Sequence, residues 1–251
     1  MSPSMPCNSG WPFGWHAEGV TRPRLALLGR FAEHTSATRY SAVVSARALL
    51  ESLWLAGADP VTLLPASGDQ GTGSGGFDWS ARLAGFDGVV LCGGADVDPR
   101  RYGATEIHPE VYDVHELQDE ADLSLAAYCF AHGVPTLAIC RGLHVVNVLR
   151  GGSLVQHMDD HHRHVVHDVV IESGPVGIEP GPIRASCYHH QCVDRLGEGL
   201  EVVGRAEDGT VEAVTIDAQG WAFGVQWHPE DTAAEDPRQL GVLRALVEAA
   251  R

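Results

Sequence analysis

Three short apolar runs constrain this chain more than any other feature. Leu25-Ala26-Leu27-Leu28, Gly88-Val89-Val90-Leu91-Cys92 and Pro135-Thr136-Leu137-Ala138-Ile139 show no alternation of apolar and charged residues. A strand with one wet face alternates; a strand covered on both faces does not, and helices flanking a parallel sheet provide that cover. Helical patterns lie between the runs. Ser41 to Ala56 repeats apolar residues at Val43, Val44, Ala46, Leu49, Leu50, Leu53 and Trp54, the period of an amphipathic helix, and Asp119 to His132 reads as another. Pro60 to Pro65 adds a strand bracketed by prolines, and Gly68 to Gly76 reads as a flexible surface loop.

After residue 165 the style changes. Val165 to Ile171, Glu201 to Ala206, Val211 to Ile216 and Trp221 to Gln226 read as closely spaced strands, and Pro237 to Ala249 as a closing helix. The expected fold is α/β: a three-layer sandwich with a central, mostly parallel sheet and a strand-rich second half. A single domain is expected over residues 23–251. A loose tail is expected over residues 1–22, docked through Trp11, Phe13 or Trp15.

Charge narrows the partners. Seventeen basic residues stand against 33 acidic ones, a formal charge of −16, which argues against nucleic acid or an anionic membrane as partner. The longest stretch free of Asp, Glu, Lys and Arg, Leu123 to Cys140, is broken by His132-Gly133-Val134-Pro135, so it reads as a helix and a buried strand back to back. The first twenty residues lack a basic start and a continuous apolar core, so no signal peptide is expected and the location is expected to be cytoplasmic. Six cysteines in such a chain do not point to a disulfide framework. Cys92 and Cys129 read as core thiols, whereas Cys187 and Cys192 flank a polar turn and are expected to be more exposed.

Cys140 is different. In Ala138-Ile139-Cys140-Arg141-Gly142 it stands where a buried strand meets a helix pattern, a turn that holds a nucleophile above the sheet edge. Backbone N–H groups and the positive end of the following helix favour the thiolate there. A cysteine nucleophile needs a base and a group to orient it. Gly224-Val225-Gln226-Trp227-His228-Pro229-Glu230 offers both, because residues two apart on an extended segment share a face, letting Glu230 hold the His228 ring.

Together these segments resemble the class I glutamine amidotransferase superfamily, and finer motifs are similar to its free-standing branch, the γ-glutamyl-γ-aminobutyrate hydrolase family. The motifs are Cys92-Gly93-Gly94-Ala95-Asp96-Val97-Asp98-Pro99 with Tyr102-Gly103, Pro135 through Leu154, Tyr188-His189-His190-Gln191 with Val193 to Gly197, and Trp227-His228-Pro229-Glu230. They run in order over residues 23–250.

The resemblance implies a Cys140-His228-Glu230 triad, with an oxyanion hole from the backbone N–H groups of Gly94 and Arg141 and a γ-glutamyl pocket lined by His189 and Gln191. It implies hydrolysis of a γ-glutamyl amine to glutamate and free amine through a glutamyl thioester, as in polyamine catabolism. The expected partner is a small γ-glutamyl substrate, with homodimer formation left open. A glutaminase subunit feeding ammonia to a synthase, and a non-catalytic binding protein on the same fold, are the alternatives. The chain departs from the family at His144, where Gln is usual, at Gln118-Asp119-Glu120-Ala121-Asp122, where Arg-Asp-x-x-Glu is usual, and at Ser186-Cys187, near the place of an Asn-Ser pair. These departures are expected to reshape the substrate pocket.

No metal and no cofactor are expected. His157, His161, His162, His164 and His167 match no standard zinc spacing, and Asp159 and Asp160 do not complete one, so a polar loop entering a strand is the reading. Asp96 and Asp98 resemble the start of a calcium loop, but Pro99 and the lack of later ligands oppose it.

Overall fold

Alternate residues of each apolar run turn out to face opposite layers of helix. A computed structural model describes residues 21–36, 40–66, 76–158 and 162–251; the expected N-terminal tail up to residue 20 and most of the glycine-rich loop lie outside them. The first half comprises β1 (Arg24–Leu28), β2 (Arg30–Ala32), β3 (Ala42–Val44), α1 (Arg47–Ala56), β4 (Asp59–Leu63), α2 (Trp79–Arg82), β5 (Gly88–Leu91), α3 (Glu116–His132) and β6 (Thr136–Ile139). Then come α4 (Arg141–Leu149), β7 (Leu154–Val155), β8 (Arg163–Ile171), β9 (Gly181–Tyr188), β10 (Cys192–Val193), β11 (Leu200–Arg205), β12 (Val211–Ile216), β13 (Ala222–Val225) and α5 (Pro237–Ala249).

Nine strands form one sheet in the order β4-β1-β5-β6-β13-β12-β11-β8-β9. The first five are parallel neighbours and the rest run antiparallel. Leu25 and Leu27 of β1, with Leu137 and Ile139 of β6, share a core with Leu49 and Leu53 of α1 and Leu243 and Leu246 of α5. Ala26, Leu28 and Ala138 face the other way, onto Leu125 and Cys129 of α3 and Leu143 and Val146 of α4. The runs are continuous in sequence because both faces are buried, each core leucine contributing about 1.5–3 kcal/mol. The fold is thus a mixed α/β sandwich around a large central sheet.

The uncharged stretch from Leu123 to Cys140 resolves as the end of α3, a left-handed Gly133 at φ 68°, and β6. Among the described residues no helix is long and apolar enough to cross a membrane. The helix expected from Ser41 starts only at Arg47. Val43 and Val44 instead pair with Phe31 and Arg30 in a two-stranded ribbon, where β-branched side chains fit well. β9 has no counterpart in the sequence reading. It pairs with β8 along almost its whole length and closes the sheet edge.

Candidate active site

Cys140 occupies the tip of a strained elbow between β6 and α4. Its φ of 52° and ψ of −108° lie outside the regions that L residues favour, a conformation that costs about 1–3 kcal/mol and persists only where the surroundings impose it. Two contacts impose it. The Cys140 N–H donates to the Val225 carbonyl at 2.8 Å, and Gly142 sits so close to β5 that a Cβ would lie 2.2 Å from the Leu91 oxygen. The elbow therefore presses against the sheet and directs the side chain past the strand ends. Arg141 is the first residue of α4, where backbone N–H groups lack intrahelical acceptors and carry the positive end of the helix dipole.

β13 lies beside β6 in parallel, with Val225 opposite Ile139. This adjacency brings His228, three residues beyond the end of β13, to the elbow. The His228 N–H donates to the Ser186 carbonyl at 2.8 Å, which fixes the backbone. Its Nδ1 lies 2.7 Å from Glu230 Oε1, inside a short 3-10 turn over Pro229–Asp231. The opposite ring edge borders Gly93, where a Cβ would lie 2.8 Å from His228 Cε1 and 3.7 Å from Cys140 Cβ. A side chain at position 93 would wedge sulfur and imidazole apart. Burial opposes a charge on His228, but the adjacent Cys140 sulfur and Glu230 carboxylate overcome it and raise its pKa to about 11. The arrangement can hold a thiolate–imidazolium pair, and the carboxylate fixes the tautomer that points Nε2 toward the sulfur.

Above the sulfur lies a narrow cleft bordered by Gly94, Asp96, Tyr112, Cys140, Arg141, His144 and Tyr188 to Gln191. All four of the expected oxyanion and substrate residues, Gly94, Arg141, His189 and Gln191, border this cleft with Cys140. His189 Nδ1 lies 2.9 Å from the Gln191 carbonyl, and its buried Nε2, without a hydrogen-bond partner, lies 3.4 Å from Glu212 Oε1. Gln191 donates to the Gln156 carbonyl at 3.1 Å and keeps a buried Oε1 without a hydrogen-bond partner. His144 points its Nε2 at Gln226 Oε1, 2.8 Å away, and burial pushes its pKa down to about 3, so it stays neutral.

A buried ion-pair network under the site, joined by Arg30, carries no signal in the sequence reading. The Arg141 side chain turns under the elbow, where it pairs with Asp119 at 2.5 Å and with Asp122. Arg30 also pairs with Asp122 and donates to the carbonyls of Gly93 at 2.9 Å and Cys92 at 2.6 Å. Burial opposes ionisation of Asp122, but the two guanidinium groups hold its carboxyl below the ordinary carboxylate range. This buried network clamps the Gly93-Gly94 turn to the first turn of α4, the two backbone segments that border the sulfur. Asp122, one of the departures expected to reshape the pocket, thus lies beneath the elbow. Asp96 accepts from the Tyr112 N–H at 3.0 Å and lies 3.1 Å from His190 Nε2, and Asp98 caps a 3-10 turn.

The other cysteines among the described residues are withdrawn. Burial pushes the thiols of Cys92 and Cys129 up to about 12. Cys192 is half-buried and raised to about 11, chiefly by burial. Cys187 differs from the expectation of exposure: it is 1% exposed, because on the edge strand β9 it points inward with Ile183 and Ala185 into the core that holds Trp227. It also has a histidine and a carboxylate that the sequence did not place. Its Sγ lies 3.1 Å from His167 Nε2 and 3.9 and 3.8 Å from the Glu212 oxygens. Burial and the neighbouring Glu212 carboxylate both push its thiol well above the ordinary range.

The histidine-rich segment divides in the same way. His161 lies outside the described residues. His164 meets the Tyr188 ring at 4.2 Å, and His157 Nδ1 lies 3.0 Å from His190 Nδ1. His162 and His167 instead converge on Glu212, from β12.

Residues 30–230 match the family model described as Peptidase C26. The sheet is also that of proteins solved as glutamine amidotransferases. A glutamine amidotransferase from Thermotoga maritima superposes with a TM-score of 0.59, covering 92% of this chain and 99% of that one at 17% identity. The chain belongs to the Peptidase C26 family. Among curated relatives, it is 36% identical over 174 residues to the Mycobacterium tuberculosis protein named “Putative glutamine amidotransferase Rv2859c”. That match spans 64% of this chain and just over half, 55%, of the relative. It is 30% identical over 171 residues to the γ-glutamyl-γ-aminobutyrate hydrolase PuuD of Escherichia coli K12, covering 60% of this chain and 66% of that one.

Proposed function

We propose that this protein hydrolyses the γ-glutamyl amide bond of a small γ-glutamyl amine, with Cys140 as nucleophile, His228 as acid and base, and Glu230 as the group that orients His228. The observation that carries the reading is the 2.7 Å contact from Glu230 to His228 Nδ1, with the opposite ring edge against Gly93 and the Cys140 elbow. In the first step the Cys140 thiolate forms a C–S bond to the γ-carbonyl carbon, and charge develops on the oxygen. The backbone N–H groups of Gly94 and Arg141, on the two segments clamped by Arg30 and Asp122, are the donors for that oxygen. As the C–N bond breaks, His228 passes its proton to the departing amine. Water then adds to the thioester, His228 takes a proton from it, and glutamate leaves with the thiolate restored.

The narrow cleft bordered by His189 and Gln191 takes the glutamyl half, so recognition centres there and the amine projects outward. The reaction needs no metal at the sulfur, because nucleophile, base and oxyanion donors are all supplied by the chain. The purified chain, assayed alone with glutamine, γ-glutamyl-γ-aminobutyrate, γ-glutamyl polyamines and folate polyglutamates, is expected to favour the small γ-glutamyl amines. A tenfold preference for glutamine or polyglutamate, about 1.4 kcal/mol in kcat/KM, would contradict that substrate class. Inactivity alone followed by ammonia delivery to a synthase would identify a glutaminase subunit instead.

A further inference from the structure

Behind the cleft, three strands of the antiparallel half place a second set of histidine, cysteine and carboxylate groups around a single point. His162 Nδ1, just before β8, lies 3.1 Å from Glu212 Oε1, and His167 Nε2 lies 3.6 Å from the same oxygen. Cys187 Sγ is 3.1 Å from His167 Nε2 and 3.8 Å from Glu212 Oε2. One ligand atom from each of the four residues lies within 4.8 Å of all the others. Zinc bonds of about 2.0–2.1 Å to nitrogen and about 2.3 Å to sulfur give a tetrahedron with edges of roughly 3.3–3.6 Å, close to most of these separations.

The tautomers point the same way. His162 is 1% exposed, and its Nε2 lies 2.9 Å from Asp208 Oδ2, so a neutral ring spends its single proton on that carboxylate. The lone pair of Nδ1 then faces Glu212, and this buried atom has no hydrogen-bond partner. His189 repeats the pattern from the cleft side. Its Nδ1 faces the Gln191 carbonyl, and its buried Nε2, also without a hydrogen-bond partner, faces Glu212 at 3.4 Å. A fully buried carboxylate facing two imidazole lone pairs is repulsive unless a metal ion or an added proton lies among them, and the four converging ligand atoms offer a place for the ion.

We propose that His162 Nδ1, His167 Nε2, Cys187 Sγ and the Glu212 carboxylate form a structural zinc site that ties β8, β9 and β12 together behind the γ-glutamyl cleft. On binding, the Cys187 proton leaves to solvent and a zinc–sulfur bond forms. Thiolate and carboxylate together neutralise the ion, as a buried site requires. Asp208 holds the outer nitrogen of His162, the carboxylate–histidine–metal arrangement that sets a ligand's tautomer. The partly exposed edge of His167 gives the ion a route in. Cys140 and its partners take no part, so the site is separate from the proposed hydrolysis.

The test uses the full chain, stripped with chelator and titrated with Co²⁺ and then Zn²⁺. One Co²⁺ per chain is expected, with a near-ultraviolet thiolate-to-cobalt charge-transfer band and the intense visible bands of a tetrahedral site, all erased by one equivalent of Zn²⁺. Cys187→Ser should remove the charge-transfer band, His162→Gln should weaken Co²⁺ binding at least about tenfold, and Cys140→Ala should leave the spectrum unchanged. Circular dichroism of each stripped variant establishes that it is folded. In the wild type Zn²⁺ should raise Tm, and in Cys187→Ser that rise should shrink. Failure to bind Co²⁺, octahedral bands without charge transfer, or a band lost in Cys140→Ala and kept in Cys187→Ser would overturn the proposal.

Discussion

The described residues contain two groupings of cysteine, histidine and glutamate, one at each half of the sheet, and the same residue types are arranged for opposite ends. At the end of the parallel strands, Glu230 contacts His228 on Nδ1, the nitrogen facing away from Cys140, so the carboxylate stabilises imidazolium without opposing the thiolate. In the antiparallel half, Glu212 approaches His167 on Nε2, the nitrogen that also meets Cys187, and sits against the sulfur itself. The first arrangement raises His228 to about 11, whereas the second, together with burial, pushes the Cys187 thiol up. Backbone placement separates them too. Cys140 caps a helix at a strained elbow beside a cleft, whereas Cys187 is buried within β9. The two groupings differ in the side of the ring the carboxylate approaches, and in where the backbone carries the sulfur.

The largest effect that separates the two groupings is expected from removing each sulfur. Cys140→Ala should lower hydrolysis of the best γ-glutamyl amine at least about 10³-fold, roughly 4 kcal/mol, with a near-native circular dichroism spectrum. Cys187→Ser should leave Cys140 reactive toward alkylating reagents. Appreciable turnover by Cys140→Ala would break the comparison at its root. His228→Asn removes the base and should slow turnover about 10²–10⁴-fold. It should also slow alkylation of Cys140 at neutral pH, which is read directly by mass spectrometry.

Glu230→Gln should cost less, about ten- to a hundredfold, and its sharper signature is in pH dependence. His228 is held protonated up to about 11, so its positive charge is present at neutral pH and lost only as pH rises through that value. Any stability this raised pKa contributes is likewise full below the ordinary imidazole value of about 6.5 and lost toward 11. Removing the Glu230 charge should therefore move the basic limb of the kcat/KM profile to lower pH. An unmoved limb would mean that Glu230 does not act on the ring. The smallest effect tests the elbow. In Gly142→Ala the new Cβ meets the Leu91 carbonyl, and overpacking of this kind should destabilise the fold by about 1–3 kcal/mol, seen as a lower denaturant midpoint.

The parallel half was legible because its signals are local. Continuous apolar runs mark strands buried on both faces, and α5 over Pro237–Ala249 matches the expected span residue for residue. Cys140, His228 and Glu230 were legible because they end strands that adjoin in the sheet. The second grouping was not. Its members come from before β8, from within β8, and from β9 and β12, and β9 carries no clear strand signal. Its alternation rests on only three inward residues, Ile183 and the small Ala185 and Cys187, and is preceded by a glycine- and proline-rich segment. Without β9 nothing placed Cys187 beside His167, and Glu212 reads as one charge in an apolar strand. Arg30 was hidden for a similar reason: it opens the short strand β2, two residues beyond β1, and reaches Asp122 only through the three-dimensional fold.

Competitive labelling of all cysteines tests the central claim most directly. The native chain is treated with a limiting dose of iodoacetamide near neutral pH, and the modified peptides are mapped while residual activity is followed. Cys140 should be modified first, with activity falling in proportion to its labelling, while Cys187 and Cys192 remain free. Modification of Cys187 or Cys192 ahead of Cys140, or full Cys140 labelling with activity retained, would contradict the assignment of the elbow as the reactive site.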